Sequence, residues 1–309
     1  MLLNDYYQNV GMKGYFNRYG FINAIRRGSF IANPFHIVKD YEIKKFLWQE
    51  KALKKVSKYL KYKDTIPEGF RYGNYEVDNP VWIYWNSGIE KAPEIVKCCY
   101  ESILKKTEQT VILLTEKNLS EYLVFPNYIT EKMEAGKIPI AGYTDLMRFA
   151  LLEHFGGTWI DATIYLTGPI PEQILNCDFF AFRNALGLLD NPVLFPAWFT
   201  HASKGNKTIT EVRNVVCAYW MKEQHVIEYL LPNLIMTAII KEDKEAERNI
   251  PYLDSEYSER LIRIIDEKYT KEKADWIKKL TPIHKLTYKL DNSINQEGNI
   301  YRSIIERKF

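Results

Sequence analysis

The amino-acid sequence predicts an α/β fold built on a mostly parallel, doubly wound sheet. Strand-like and helix-like segments alternate between residues 81 and 170 at the spacing of βαβ units. A buried helix is followed directly by a Gly-Gly turn and a short apolar strand over residues 146–160. The 309 residues are 46% hydrophobic and 14% aromatic, which supports a sizeable core and excludes disorder over most of the chain.

We expect residues 1–75 to form a basic, helical N-terminal extension and residues 76–309 to form the domain that holds the sheet. Residues 1–64 contain 13 Lys and Arg against 5 Asp and Glu, a net charge of +8, whereas the rest of the chain carries −5. Over residues 41–63, apolar residues recur at helical spacing and lysines fill the other positions. This segment either lies on an anionic membrane surface or packs on the sheet domain with a solvated basic face. It matches no nucleic-acid reader fold.

The sheet domain begins with an apolar strand over residues 81–85 that runs into a polar Asn-Ser-Gly loop. Tyr84 and Trp85 at the end of this strand offer flat faces on which a nucleobase could stack. The alternative is that both rings belong to the core. A helix over residues 93–104 and a second strand over residues 110–115 follow.

Asp145 and Arg148 lie on one face of a helix that is otherwise apolar through residue 155. Charges in such a helix are costly unless they pair with each other or meet a polar ligand. Asp161 follows the strand of residues 158–160 at its C-terminal end, where open α/β sheets bind ligands. These three side chains predict a site for a ligand with phosphate, sugar hydroxyls or a metal. The alternative for Asp145 and Arg148 is a buried i,i+3 ion pair that fastens the helix.

Residues 143–163, YTDLMRFALLEHFGGTWIDAT, resemble the D-x-x-R and G-G-x-W/Y-x-D-x-D signature of sugar-transferring enzymes related to glycosyltransferase family 32. The ending Asp-Ala-Thr resembles the capsular polysaccharide synthesis branch of that group. The similarity runs from Pro80 to Ile170, with a weaker echo in TPIHKLTYK near the C-terminus. The resemblance implies the nucleotide-sugar-binding fold of the GT-A class and a catalytic domain over residues 76–309.

The resemblance also implies roles for single side chains. Asp145 and Arg148 would hold sugar hydroxyls in orientation, and Trp85 would pack on the base of the nucleotide sugar. The C-terminal half would supply the second wall of the cleft, where the acceptor binds. His201 and Lys204, in the polar loop region that follows a predicted strand, are the acceptor-side candidates.

The predicted metal site departs from the family pattern. Asp161 would hold Mn²⁺ or Mg²⁺ against the diphosphate, but Thr163 stands where the second carboxylate of Asp-x-Asp is usually the direct ligand. His284 and Lys285 match a His-Lys-Leu of the family and would complete the metal site and neutralise diphosphate, respectively. The alternative for His284 is a structural role. We therefore expect a metal-stimulated enzyme that holds its ion weakly; the alternative is catalysis that relies on arginine and lysine instead.

The resulting functional hypothesis is a retaining hexosyltransferase. It moves galactose or glucose from a UDP-sugar to an undecaprenyl-diphosphate-linked oligosaccharide in bacterial capsule repeat-unit assembly. A catalytically decayed sugar-binding or scaffold subunit is one alternative, and a phospho- or nucleotidyltransferase on the same fold is the other, although the sequence has no P-loop.

The four cysteines lack CxxC spacing, and no apolar run approaches the roughly 18 residues of a spanning helix. We expect a cytoplasmic protein that contacts the inner face of the plasma membrane peripherally, if at all.

Overall fold

The computed structural model describes residues 2–32, 41–184 and 191–309. The strands predicted over residues 81–85, 110–115 and 158–160 and the helix predicted over residues 93–104 are present, to within two residues at each end. The helices are α1 (Leu2–Tyr19), α2 (Phe21–Ala32), α3 (Tyr41–Val56), α4 (Glu94–Lys106), α5 (Leu119–Tyr122), α6 (Asn127–Glu134), α7 (Ile140–Phe155), α8 (Glu172–Leu175), α9 (Lys207–Lys222), α10 (Leu231–Glu242), α11 (Lys244–Asn249), α12 (Ser255–Ser258), α13 (Arg260–Arg263), α14 (Lys271–Leu280) and α15 (Ile300–Ile305). Short 3-10 helices cover Ser57–Tyr62, Ile89–Lys91 and Asn292–Ile294.

Within the described ranges, nine strands form one central sheet and two small two-stranded sheets. The strands are β1 (Arg71–Tyr72), β2 (Val81–Tyr84), β3 (Val111–Leu114), β4 (Leu123–Val124), β5 (Gly157–Ile160), β6 (Ile164–Leu166), β7 (Phe179–Ala181), β8 (Phe199–Ala202) and β9 (Ile283–Lys285). The central sheet has the order β3-β2-β5-β8-β7, and the small sheets pair β1 with β4 and β6 with β9.

The central sheet is mostly parallel, as predicted. β2 pairs in parallel with β3 and with β5, whereas β8 is antiparallel to both β5 and β7. Four of the five strands described in this sheet therefore run in one direction and β8 runs against them. All side chains of β2, β5, β7 and β8 are buried, so both faces of the sheet are covered. This arrangement confirms the predicted α/β class and agrees with a GT-A type fold.

The turn between α7 and β5 depends on two glycines. Gly156 and Gly157 have φ angles of 73° and 99°, a region that favours glycine. A Cβ on Gly157 would lie 2.2 Å from the carbonyl oxygen of Pro80, which precedes β2. The turn thus sets β5 directly beside β2 and folds α7 back along the sheet. Asp161 follows the last residue of β5.

The small sheet of β6 and β9 joins the C-terminal region to the end of β5. Ile164 lies opposite Lys285 and Tyr165 opposite His284 in an antiparallel register. The backbone N–H of Leu286 also donates to the carbonyl of Thr163, at 2.9 Å. This pairing brings residues that are far apart in the sequence to the loop that carries Asp161.

The basic segment of residues 41–63 packs on the sheet domain. Trp48, Ala52 and Val56 on α3 are at most 5% exposed and Tyr59 beyond it is also buried. Of the two alternatives for this segment, the structure therefore favours a surface helix that packs on the sheet domain, with Ile43 near its start 53% exposed. Buried side chains from the extension belong to the same hydrophobic core as those of the sheet domain, and the boundary predicted at residue 75 stays a prediction. No helix within the described ranges is both long and apolar enough to cross a bilayer.

Candidate active site

The loop after β5 and the inner face of α7 together form an ion-pair cluster. Arg148 is 4% exposed, and its guanidinium donates to Asp145 Oδ1 at 2.5 Å and to Asp161 Oδ1 at 2.8 Å. Trp159 Nε1 donates to the same oxygen of Asp161 at 3.0 Å, and the guanidinium lies 5.1 Å from the centre of the Trp159 ring. The structure thus brings the three predicted site residues of the central segment together around one arginine.

Lys285 completes the cluster from β9. Its Nζ lies 2.8 Å from Asp161 Oδ2 and 3.0 Å from Thr163 Oγ1. It also lies 5.9 Å from the centre of the Trp198 ring, and the carbonyl of Trp198 accepts a hydrogen bond from the backbone N–H of Asp161. The ammonium group of Lys285 therefore bridges the two side chains at the first and third positions of Asp-Ala-Thr.

The two carboxyl groups of the cluster have different electrostatic surroundings. Burial raises the pKa of Asp145 to about 6, against the opposing effect of Arg148, and the nearby charge of Asp161 adds to the rise. Burial would also raise the pKa of Asp161, but Lys285 and Arg148 outweigh it and lower that pKa below its usual value. Asp161 is accordingly ionised near neutral pH, whereas the charge of Asp145 is sensitive to mild acid.

One side of the cluster is open to solvent. The side chains of Asp145, Asp161 and Lys285 are 15%, 28% and 23% exposed, respectively. A lysine ammonium has three donor hydrogens, and two acceptors are occupied here by Asp161 and Thr163. A third donor therefore remains for a ligand, and an anionic oxygen is the partner that this group prefers.

The predicted metal ligands do not fit a divalent cation in this arrangement. Both oxygens of Asp161 are taken by Arg148, Trp159 and Lys285, and Thr163 Oγ1 lies beside the Lys285 ammonium. In the described part of the chain, no group of three or more His, Cys, Asp and Glu is arranged to hold a metal. The Lys285 ammonium thus occupies the oxygens at which Mn²⁺ or Mg²⁺ was expected, and metal dependence stays a prediction.

His284 lies apart from the cluster. It is fully buried, and its Nε2 lies 3.0 Å from Thr167 Oγ1. Side chains alternate between the two faces of a strand, so His284 and Lys285 point in opposite directions from β9. Burial lowers the pKa of His284 to about 3, which keeps the ring neutral. This placement agrees with the structural alternative stated for His284.

The two aromatic residues at the end of β2 differ in their surroundings. Tyr84 is 8% exposed, and burial raises its pKa to about 12, as expected for a ring in the core. Trp85, which follows β2, is half-buried and meets Tyr288 edge-on with ring centres 5.3 Å apart. Trp85 is therefore the better placed of the two to present a ring to a ligand.

The structure does not bring His201 and Lys204 to the cluster. His201 is 4% exposed in the middle of β8, where its Nδ1 lies 2.9 Å from Thr158 Oγ1. Because β8 is antiparallel to β5, Ala202 lies opposite Gly157, at the edge of the sheet away from Asp161. Lys204 follows at that far edge, beside the Gly-Gly turn.

Three aromatic residues that contact the site were not selected from the sequence. Trp159 hydrogen-bonds Asp161, Trp198 lies beneath Lys285, and Tyr288 meets Trp85. Trp159 lies within the G-G-x-W/Y-x-D motif, so its position beside the aspartate was a usable signal. No motif near Trp198 or Tyr288 indicates their contacts with Lys285 and Trp85, because these contacts join segments that are far apart in the sequence.

Comparison with known proteins gives one family match. A family model described as "Capsular polysaccharide synthesis protein" matches residues 30–304. No curated protein matches the chain significantly. A solved structure titled "PaToxG Glycosyltransferase" is 11% identical and covers 87% of this chain and 98% of its own, but the TM-score of 0.36 is too low to support an argument. On the family match, which spans most of its length, the chain belongs to the capsular polysaccharide synthesis protein family.

Proposed function

We propose that this protein is a retaining glycosyltransferase of the GT-A class, related to glycosyltransferase family 32. It transfers a hexose, galactose or glucose, from a UDP-sugar to an undecaprenyl-diphosphate-linked oligosaccharide during assembly of capsule repeat units. Family membership supports the pathway. The observation that supports the transfer reaction is the cluster of Asp145, Arg148, Asp161 and Lys285 at the C-terminal end of β5.

The first requirement of the reaction is a partner for the leaving group. Cleavage of the bond between the anomeric carbon and the nucleoside diphosphate leaves negative charge on the diphosphate. Lys285 is fixed by Asp161 and Thr163 and has a donor to spare for a phosphate oxygen. A preorganised cation at this point stabilises the developing charge without having to reorient during the reaction.

The second requirement is orientation of the sugar. Asp145 is partly exposed and is held by the buried Arg148, so its free oxygen can accept from a sugar hydroxyl. The base of the nucleotide would lie against Trp85, with Tyr288 as the adjacent ring. Donor recognition would therefore lie between the end of β2 and the end of β5, which are adjacent strands.

Within a retaining mechanism, the bonding of Asp161 argues against a covalent glycosyl-enzyme intermediate. Both of its oxygens accept hydrogen bonds from Arg148, Trp159 or Lys285, so its charge is neutralised and its nucleophilicity is low. The acceptor hydroxyl would then attack from the side that the diphosphate leaves. In that geometry the departing diphosphate oxygen takes the proton of the hydroxyl group.

Of the two alternatives for charge neutralisation, the donor set supports lysine and arginine over a metal ion. The Asp-Ala-Thr sequence replaces one carboxylate by a hydroxyl, and the Lys285 ammonium bonds both remaining side chains. A divalent cation at the same oxygens would face the charges of Lys285 and Arg148 at close range. We therefore expect transfer to proceed in the presence of EDTA.

The proposal is tested by analysing the products formed from UDP-glucose and UDP-galactose, with water or added lipid-linked acceptor accepting the sugar. We expect UDP and free or transferred hexose, and a rate about 100-fold lower in Lys285→Met. Lys279→Met, which removes an exposed lysine at the end of α14, is the matched control and should retain activity.

The two alternative functions give different results in the same experiment. UMP, pyrophosphate or a phosphodiester product would indicate a nucleotidyl- or phosphotransferase. No turnover of any nucleotide sugar by the folded protein would indicate a decayed, sugar-binding subunit.

A further inference from the structure

Helices α1 and α2 carry a group of large apolar side chains on their outer surface. We call this group the N-terminal apolar patch. Four members are strongly exposed, at 60%, 70%, 64% and 49% for Met12, Phe21, Ile22 and Ile25, respectively. Phe16 is half-buried and stacks on Phe21 with ring centres 5.6 Å apart. Exposed apolar side chains that are this closely grouped mark an interaction surface more often than scattered ones do.

The patch is continuous across the two helices. Met12 and Phe16 are four residues apart and lie on one face of α1, and Phe21 and Ile25 have the same relation on α2. The stacking of Phe16 on Phe21 joins the two faces. Ile22 lies beside them in the first turn of α2.

The opposite face of α2 packs against the protein with other residue types. Ala24 is 2% exposed there. Arg27 is also on the inner side, where its Nε lies 3.4 Å from Glu228 and its guanidinium lies 4.9 Å from the centre of the Tyr19 ring. The buried face of α2 therefore holds a small residue and an ion pair, whereas its exposed face holds phenylalanine and isoleucine. A helix that only needed to be soluble would present polar residues on that side.

Two exposed basic residues flank the patch. Lys13 on α1 and Arg26 on α2 are exposed beside its members, and residues 1–64 as a whole carry a net charge of +8. Large apolar side chains with flanking basic residues are typical of helices that lie in the interface of an anionic bilayer. A second copy of this chain is a poor partner for the same surface, since two strongly basic regions would repel each other.

We propose that the N-terminal apolar patch docks on an anionic lipid surface. Phe21, Ile22 and Ile25 enter the interface between headgroups and acyl chains, and Lys13 and Arg26 contact the headgroup phosphates. The contact is made by α1 and α2, whereas Trp48, Ala52 and Val56 of α3 are buried. This docking is independent of the transferase activity proposed above.

The test is co-sedimentation of the full chain with vesicles of phosphatidylcholine alone or phosphatidylcholine mixed with phosphatidylglycerol. We expect binding to the mixed vesicles that weakens with added salt. The double variant Phe21→Ser, Ile25→Ser should bind about tenfold more weakly, because little apolar surface then enters the interface. Arg26→Glu should bind about fivefold more weakly or worse.

Two matched control variants distinguish binding through the patch from non-specific adsorption to the vesicles. Ile66→Ser removes an isoleucine that is 75% exposed elsewhere, and Lys117→Glu reverses an exposed lysine outside the patch. Neither should lower binding as far as the patch variants do, and circular dichroism should show the same helix content throughout. Equal binding by the wild type and the double variant, or no binding of the wild type to the mixed vesicles, would overturn the proposal. So would a dimer in light scattering that the double variant dissociates, since it would assign the patch to a second copy.

Discussion

Asp145 is the side chain of the cluster whose charge mild acid would remove. Burial raises its pKa to about 6, and its ionised form holds Arg148. Protonation removes that negative charge, so we expect kcat/KM to fall as the pH falls through about 6. Asp145→Asn should lower activity at pH 7 by about 100-fold and abolish this acidic limb. A limb that persists unchanged in Asp145→Asn would assign the titration to another group.

The same pKa has the opposite effect on stability. The pKa of Asp145 is higher in the folded chain than the unfolded value of about 3.9. The group therefore stabilises the fold at low pH, and this contribution is lost as the pH rises through about 6. Protonation of Asp145 below pH 6 should therefore lower the activity without unfolding the protein. A fall in activity at an unchanged folded fraction would show that the loss is catalytic and is not caused by unfolding.

His284 and Lys285 show which part of the site a sequence cannot reveal. Both were selected from one short C-terminal motif, yet only Lys285 reaches Asp161, while His284 is buried beside Thr167. Adjacent residues of a strand point to opposite faces, so one of the two had to point away. The choice is set by the register of β9 against β6, which lies far away along the chain.

At the scale of secondary-structure elements, the Gly-Gly turn connects α7 to β5 and sets β5 beside β2. Gly157→Ala should lower the free energy of unfolding by about 3 kcal/mol or more, because the backbone has φ of 99° and the new Cβ would meet Pro80 O. Gly205→Ala is the matched control, since its φ is 73° but nothing lies within 4 Å of the added Cβ. It should cost about 1 kcal/mol, from backbone strain alone. Equal losses in urea unfolding would show that the contact with Pro80 does not constrain the turn.

Strand direction explains why His201 and Lys204, the acceptor-side candidates, lie away from the cluster. β8 runs against β5, so residues after it arrive at the edge with the Gly-Gly turn. The apolar pattern of residues 195–202 identifies a buried strand but is the same for either direction. Local sequence thus predicts that a strand exists and leaves its orientation to long-range contacts.

At the scale of the whole molecule, the α/β class and the proximity of Asp145, Arg148 and Asp161 were predictable. The alternation of helices and strands and the motif from Asp145 to Asp161 can be recognised in the sequence itself. In the structure, Arg148 forms ion pairs with both Asp145 and Asp161. The attachment of the N-terminal extension was not predictable, since both alternatives for residues 41–63 fit the same amphipathic pattern. The structure buries Trp48, Ala52 and Val56 of that segment and leaves Ile43 53% exposed, and four large apolar residues of α1 and α2 are exposed as well.

The central claim is that the Lys285 ammonium holds the nucleoside diphosphate where a metal ion was expected. The most direct test is the rise in Tm that UDP produces with EDTA present, measured for the wild type, Lys285→Met and the control Lys279→Met. We predict that UDP raises the Tm of the wild type and of the control equally, and that Lys285→Met loses most of this rise. A rise that appears only when Mn²⁺ is added, and that is the same size in Lys285→Met, would contradict the claim.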